Sequence, residues 1–414
     1  MTMEQHKFTI IIPTRERADT LIHSLQTCTT QAYENLTILV SDNCGQDNTE
    51  QVVKSVGDPR VQYINTGERL SMAHNWEFAL AQVNEGFVTI LGDDDGFLPN
   101  AVQEANRILN ETGLLAVNMN PLTDFYLWPS YYKKEQANML KVSFSNGYEI
   151  RDGKAELRKL LACKQEHSPL ACLYTSFIHV SAIQDVKRVA GSMFRSQIMD
   201  SYSAVALANQ IGKYAYCRRK LRLNGISSHS TGSSQFNYEK NKQAADLFTK
   251  EAKIPFHSKL IYSPSYSYMI AENFMQSFDA GLNIEEKKLF DFMPFIKVAL
   301  KEANTRLKGQ YDTIIEATRY IAEHNDIDTR VVEQLISKTH SQKINLIGYD
   351  LKRYAHPFLF FNAANYDATN VYEAGNLYHD IRSKPARYLT KSTTWRYMFD
   401  MVFGETASRY KPAR

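Results

Sequence analysis

The sequence predicts an α/β fold: a mostly parallel sheet wrapped in helices, followed by a mainly α-helical C-terminal region. Two observations predict it. In the first 120 residues, short and almost wholly apolar runs alternate with amphipathic ones, the pattern of strands buried on both faces between crossover helices. From Asn237 onward the apolar spacing is mostly helical. A chain of 414 residues has room for two domains, and the composition shift divides it into residues 1–240 and 241–414.

The elements follow in order. Residues 8–12 (FTIII), closed by Pro13, form a buried strand, and Leu21, Ile22, Leu25 and Cys28 then recur at helical spacing. Residues 36–40 (LTILV) are the second strand, followed by the turn SDNCGQDNT and a short helix, TEQVVKSV. Residues 61–64 (VQYI) are the third strand, LSMAHNWEFALAQV a helix, and 87–91 (FVTIL) the fourth strand. The helix AVQEANRIL follows Pro99, and residues 114–118 (LLAVN) make a further strand. Beyond Met119 the aromatic stretch DFYLWPSYY suits either sugar-ring platforms or the packing of a small subdomain. In the C-terminal region Asn283 and Glu286 are spaced as a capping box, and Pro294 should kink or split the helix that they begin.

Composition excludes several classes. Hydrophobic residues make up 43% and charged residues 22%, as in a folded soluble protein. A net charge of +3, with basic residues clustered only at the extreme C-terminus, gives no support for nucleic-acid binding. Five scattered cysteines, an odd number without a C-x-x-C pair, argue against a disulfide framework or zinc knuckle and for a reducing compartment. No signal-peptide core and no run of about 18 apolar residues are present, so the expected location is cytoplasmic.

Ligands of open parallel sheets bind at the carboxyl ends of the strands. Three polar clusters sit there: PTRER (13–17), SDN (41–43) and GDDDG (92–96). Consecutive Asp93, Asp94 and Asp95 repel one another, and a hard divalent cation relieves the repulsion. Mg²⁺ or Mn²⁺ is commonly held by one or two carboxylates, with substrate phosphates completing the shell. The simpler alternative is a solvated acidic turn at the start of the next helix.

The segments FTIIIPTRERADTLIHSLQTCTTQAYENLTILVSDNCGQDNT, NTGERLSMAHNWEFAL and FVTILGDDDGFLP resemble the family 2 glycosyltransferases, inverting enzymes of the GT-A (Rossmann-like) fold, over about residues 7–235. The resemblance implies a nucleotide-sugar-dependent transferase using Mg²⁺ or Mn²⁺. It sets Pro13, Thr14, Arg15, Glu16 and Arg17 along the nucleoside and diphosphate, and Asp42 on the base, with UDP preferred. Asn43 stands where a second acid is common. Asn75 falls near the sugar or ribose, and His74 replaces a frequent arginine. Asp94 and Asp95 match the terminal metal-binding pair; the motif's first acid falls on Gly92, with Asp93 beside it to contact ribose or sugar. Asp200, in IMDSYSAVALA, matches the general base at the start of a helix, where it would also suit an N-cap. His229, in the loop NGISSHSTGSS, matches a metal or phosphate ligand.

The implied activity is sugar transfer from a nucleotide-sugar donor to a saccharide or lipid-linked glycan in bacterial surface polysaccharide synthesis. A sugar-1-phosphate nucleotidyltransferase is the alternative enzyme, although PTRERADT lacks the glycines it needs, and a non-catalytic nucleotide- or glycan-binding protein is the alternative class. Residues 382–414 carry eight Lys/Arg against Asp400 and Glu405, interleaved with Tyr388, Trp395, Tyr397 and Phe399. That mixture suits peripheral contact with an anionic membrane, or a terminal helix docked on protein.

Overall fold

A computed structural model describes residues 4–119, 124–230, 250–341 and 358–388. Four parallel strands, β1 (Phe8–Thr14), β2 (Leu36–Asp42), β3 (Val61–Asn65) and β4 (Phe87–Ile90), stand in the order β3-β2-β1-β4. They are joined by α1 (Ala18–Thr29), α2 (Thr49–Ser55) and α3 (Met72–Leu80). Both faces of β1, β2 and β4 are covered, which is why these strands read as apolar runs, while β3 at the edge is only half-buried. Phe8, Ile10 and Ile12 enter one apolar cluster with Leu36, Ile38 and Val40, while Ile11 and Leu39 enter another on the opposite face.

Next come β5 (Gly96–Phe97), α4 (Ala101–Thr112) and β6 (Ala116–Asn118). α4 buries Ala101, Val102, Ala105, Ile108 and Leu109 on one side. It stops at Gly113, whose φ of +64° lets its N–H close on the Leu109 carbonyl. β7 (Phe125–Leu127), β8 (Met139–Ser143), β9 (Tyr148–Asp152), α5 (Gly153–Leu161), β10 (Ser176–His179), α6 (Val180–Ala190), α7 (Met199–Ile211), β11 (Lys213–Cys217) and β12 (Arg222–Ile226) complete the N-terminal half. The main sheet runs β3-β2-β1-β4-β10-β6-β11-β9, with β10 antiparallel to both its neighbours.

A second sheet, β13-β8-β7-β12-β5, uses β13 (Phe358–Asn362) from far along the chain. Residues 358–388 were expected with the helical C-terminal region. Instead β13 pairs with β8, and the helix Val371–Ser383 buries Val371, Ala374, Leu377 and Ile381 in a cluster with Leu98, Tyr126 and Leu223. The aromatic stretch is part of this packing: Tyr126 and Trp128 are buried.

Helices Tyr266–Asp279, Phe292–Ala303, Lys308–His324 and Thr329–Ile336 form a bundle whose Phe274, Phe295, Ile314 and Val332 share one core with Leu157 of α5 and Val205 of α7. One local expectation fails here: Asn283 makes no capping bond; its φ is +52° and its amide donates instead to the Val205 carbonyl at 2.9 Å. The helical run is split, as one of the two expected outcomes, into Ile284–Lys287 and Phe292–Ala303, and Pro294 falls in the first turn of the second, where no N–H is needed. Among the described residues no helix is long and apolar enough to cross a membrane. The segment from residue 389 onward lies outside the described residues.

Candidate active site

The ends of β1, β2 and β4 meet at one edge, and the three aspartates there have different partners. Asp93 is buried; its Oδ2 accepts from Thr14 Oγ1 at 2.7 Å and its Oδ1 pairs with Arg17 at 2.7 Å. Burial raises this carboxyl to about 7, and Asp94 adds to the rise while Arg17 and Thr14 oppose it. Asp94 receives four donors on Oδ2: Arg17 at 2.8 Å, Ser230 Oγ at 2.5 Å, and the hydroxyl and N–H of Ser227 at 2.7 and 3.2 Å. Its main-chain oxygen takes the indole N–H of Trp128 at 2.9 Å. The described residues aim no donor at Asp94 Oδ1. Arg17 thus bridges two of the three acids. Burial works against its charge, but Asp93 and Asp94 outweigh it and hold the guanidinium above its ordinary range.

Asp95 points into the protein. Its Oδ2 pairs with Arg222 at 2.7 Å and accepts from the Tyr174 hydroxyl at 2.5 Å, and its Oδ1 accepts from the Gly225 N–H at 2.7 Å. Asp95 and Arg222 are both wholly buried. Arg222 also donates to the carbonyls of Ile90 and Tyr174 and lies over the Tyr174 ring. Asp95 therefore locks β12 against the end of β4 and offers no oxygen to a metal, contrary to its expected place in a ligand pair. His229 is exposed on the loop that Ser227 and Ser230 tie to Asp94. Among the described residues no three His, Cys, Asp or Glu side chains gather as a ready-made metal set.

The remaining expected contacts are held by protein groups. Pro13 is half-buried at the end of β1, opposite Ser41. Arg15 pairs with Glu251 at 3.0 Å, and Arg69 engages the same carboxylate. Glu16 is exposed and accepts from the Gln46 N–H at 2.7 Å. Asp42 is buried at the end of β2, its Oδ2 accepting from the Tyr63 hydroxyl at 2.7 Å and its Oδ1 from the Gly45 N–H at 2.9 Å. Asn43 grips the Leu70 backbone through both its amide atoms, each at 2.8 Å, so it anchors the 66–71 loop. Asn75 is buried on α3 and accepts from Ser41 Oγ at 2.7 Å.

Asp200 lies in the first turn of α7, one residue inside the helix, whose N-cap is Ile198. Its side chain is 37% exposed. Leu173 ties this helix start to the sheet edge: its N–H donates to Ser203 Oγ at 3.2 Å and its carbonyl accepts from Ile90 at 2.8 Å. Behind Asp200, His167 Nε2 stands 3.7 Å from Asp200 Oδ2. The Tyr266 hydroxyl accepts the main-chain N–H of His167 at 2.9 Å and lies 2.7 Å from its Nδ1, which fixes the ring with Nε2 facing Asp200. Burial lowers the His167 pKa against the pull of Asp200, which keeps the ring neutral.

Residues 9–182 match the model of glycosyl transferase family 2. This segment is a family 2 glycosyltransferase domain. A curated relative, GalNAc(5)-diNAcBac-PP-undecaprenol beta-1,3-glucosyltransferase of Campylobacter jejuni, is 32% identical over 108 residues, which is 25% of this chain and 35% of the relative. The match thus spans about a third of that relative's length. Among solved structures, S. aureus TarS 1-349 in complex with UDP-GlcNAc superposes with a TM-score of 0.46 at 12% identity, over 80% of this chain and 90% of that one. The mannosyltransferase PcManGT of Pyrobaculum calidifontis, in complex with GDP-Man and Mn2+, gives 0.39 at 15% identity, over 81% and 88%.

The strand-end site also uses residues that sequence reasoning missed: Arg222, Tyr174, Ser227, Ser230, Trp128 and His167. A signal existed for Arg222 alone, as a charge in the apolar strand LRLNGI. The others act through contacts across 33 or more positions of chain.

Proposed function

We propose that this chain is an inverting, metal-dependent glycosyltransferase that moves a sugar from a UDP-sugar to a hydroxyl of a saccharide or lipid-linked glycan. The observation that carries the reading is the Arg17 bridge between Asp93 and Asp94 at the strand ends, inside a family 2 domain. It is a charged node of hard oxygen donors at the edge where α/β sheets take nucleotides.

The donor set fits a divalent ion. Mg²⁺ or Mn²⁺ needs only one or two carboxylates when phosphates supply the rest, and Asp94 keeps one oxygen free of donors while its other is fixed by Ser227, Ser230 and Arg17. Asp94 would hold the ion, with His229 on the loop beside it. When bound, such an ion neutralises the charge that builds on the leaving diphosphate. Arg17 stabilises the same charge from the protein side. Arg15 and Arg69 become available to the diphosphate when Glu251 is displaced. Asp42 selects the base, since a carboxylate accepts from the ring N–H of uracil.

Asp200 takes the proton of the acceptor hydroxyl as that oxygen bonds the anomeric carbon and the bond to the diphosphate breaks, releasing UDP with inversion. The neutral imidazole of His167 keeps the carboxylate oriented. Asp200→Asn should lower donor turnover ~10²–10⁴-fold while leaving UDP affinity unchanged. Turnover unchanged in this variant would remove Asp200 from the mechanism.

A further inference from the structure

A separate cavity of about 170 Å³ lies between the residues preceding β12 and the helix Val371–Ser383. Arg219, Lys220, His379 and Arg382 line it, with Asn146 and Ser383 beside them, and no acidic residue is part of the lining. Lys220 is only 6% exposed, and no described residue gives its ammonium a hydrogen bond or ion pair. Arg382 is spent on neutral acceptors, the carbonyls of Ser143 and Ser145 and the Asn146 side chain, so its charge is not cancelled.

The anion that acts on Lys220 is Asp124, whose hydrogen bonds go to other groups. Its Oδ2 accepts from the N–H and hydroxyl of Ser143 at 2.8 and 2.7 Å and from Tyr378 at 2.7 Å. Burial pulls the Lys220 pKa down to about 8; Lys141 and Arg382 add to the fall, and Asp124 opposes it. Uncompensated cations that share a cavity are costly unless an anion joins them.

We propose that this cavity binds a phosphate-class oxyanion, either free inorganic diphosphate or the diphosphate head of a lipid-linked molecule. An ion with several negative oxygens matches convergent N–H donors from an ammonium and guanidinium groups, each bond strengthened by charge. The site is distinct from the strand-end node, because none of Thr14, Arg17, Asp93 or Asp94 lines it.

The test titrates the full chain with inorganic pyrophosphate in EDTA, and separately floats it with phosphatidylcholine vesicles with and without a polyprenyl diphosphate. Binding of pyrophosphate that Lys220→Met weakens about tenfold or more assigns a free diphosphate. Lysine-dependent flotation only on the diphosphate-bearing vesicles assigns the lipid head. Lys220→Met should melt at the same temperature as wild type or higher, since it removes a buried uncompensated charge. If it misfolds, Arg219→Gln at a half-exposed position carries the same comparison. No binding of either probe, or binding that these substitutions leave unchanged, overturns the proposal.

Discussion

A Cβ added at Gly92 would stand 2.9 Å from Asp95 Oδ2 and 3.1 Å from the Tyr174 hydroxyl. The position that would carry the first acid of the aspartate motif is therefore glycine because Asp95 and Tyr174 occupy the space. The three aspartates divide their work: Asp93 and Asp94 share Arg17, and Asp95 belongs to Arg222. Arg222→Met should cost about 3–5 kcal/mol, because it leaves the Asp95 carboxylate buried without its cation; urea unfolding would measure it. Gly225 is as constrained, since a Cβ there would lie 1.7 Å from the Asp94 carbonyl and 2.9 Å from Trp128 Nε1. Gly225→Ala should separate β12 from Asp94 and abolish nucleotide binding even where the chain stays folded, as near-ultraviolet circular dichroism and titration together would reveal.

Among the elements, the helix Tyr266–Asp279 backs the start of α7 and carries a buried acid. Glu272 is fully enclosed, accepts from Ser196 Oγ at 2.5 Å and Gln276 at 2.9 Å, and burial raises its pKa to about 7. The folded state then binds more protons than the unfolded chain between about pH 4.5 and 7, so stability declines as pH rises through that window. Glu272→Gln should remove this decline, gaining on the order of 2–3 kcal/mol at pH 8 and little at pH 5. Thermal melts at the two pH values check it. The same element level explains what the sequence made legible. β1, β2 and β4 announce themselves as apolar runs because they are buried between two layers, and the helices between them by the apolar side that each turns to the sheet. β5, two residues long, and β10, four residues antiparallel to both its neighbours, have no such pattern; they exist through pairing with distant strands. The strand-end acids were readable as charges where apolar runs stop, whereas the partners Arg222, Ser227 and Tyr174 reach them only through the folded sheet.

Over the whole molecule, the chain closes on itself around the site. β13 completes the second sheet, whose β12 holds Asp95 through Arg222 and whose Trp128 edge holds Asp94. The helix Val371–Ser383 shares a cluster with Leu98 and Leu223. Truncation after residue 341 should therefore do more than remove a terminal region. It should uncover Leu98, Tyr126 and Leu140, lose fixed tertiary packing around the aspartates, and abolish nucleotide binding. A truncated protein with wild-type affinity would show that the returning segment is dispensable to the site. The helical bundle performs the parallel task for α7, whose Ala204, Val205 and Ala208 share a core with Phe274 and Phe295.

The central claim is that the node of Arg17, Asp93 and Asp94 holds a nucleoside diphosphate together with a divalent ion. Calorimetric titration of the full chain with UDP, GDP, CDP and dTDP, each with Mn²⁺ and with EDTA, tests it most directly. The account predicts saturable binding with UDP favoured, lost in EDTA and lost in Asp94→Asn. Equal affinity in EDTA would contradict the metal, and no binding of any of the four would contradict the transferase itself.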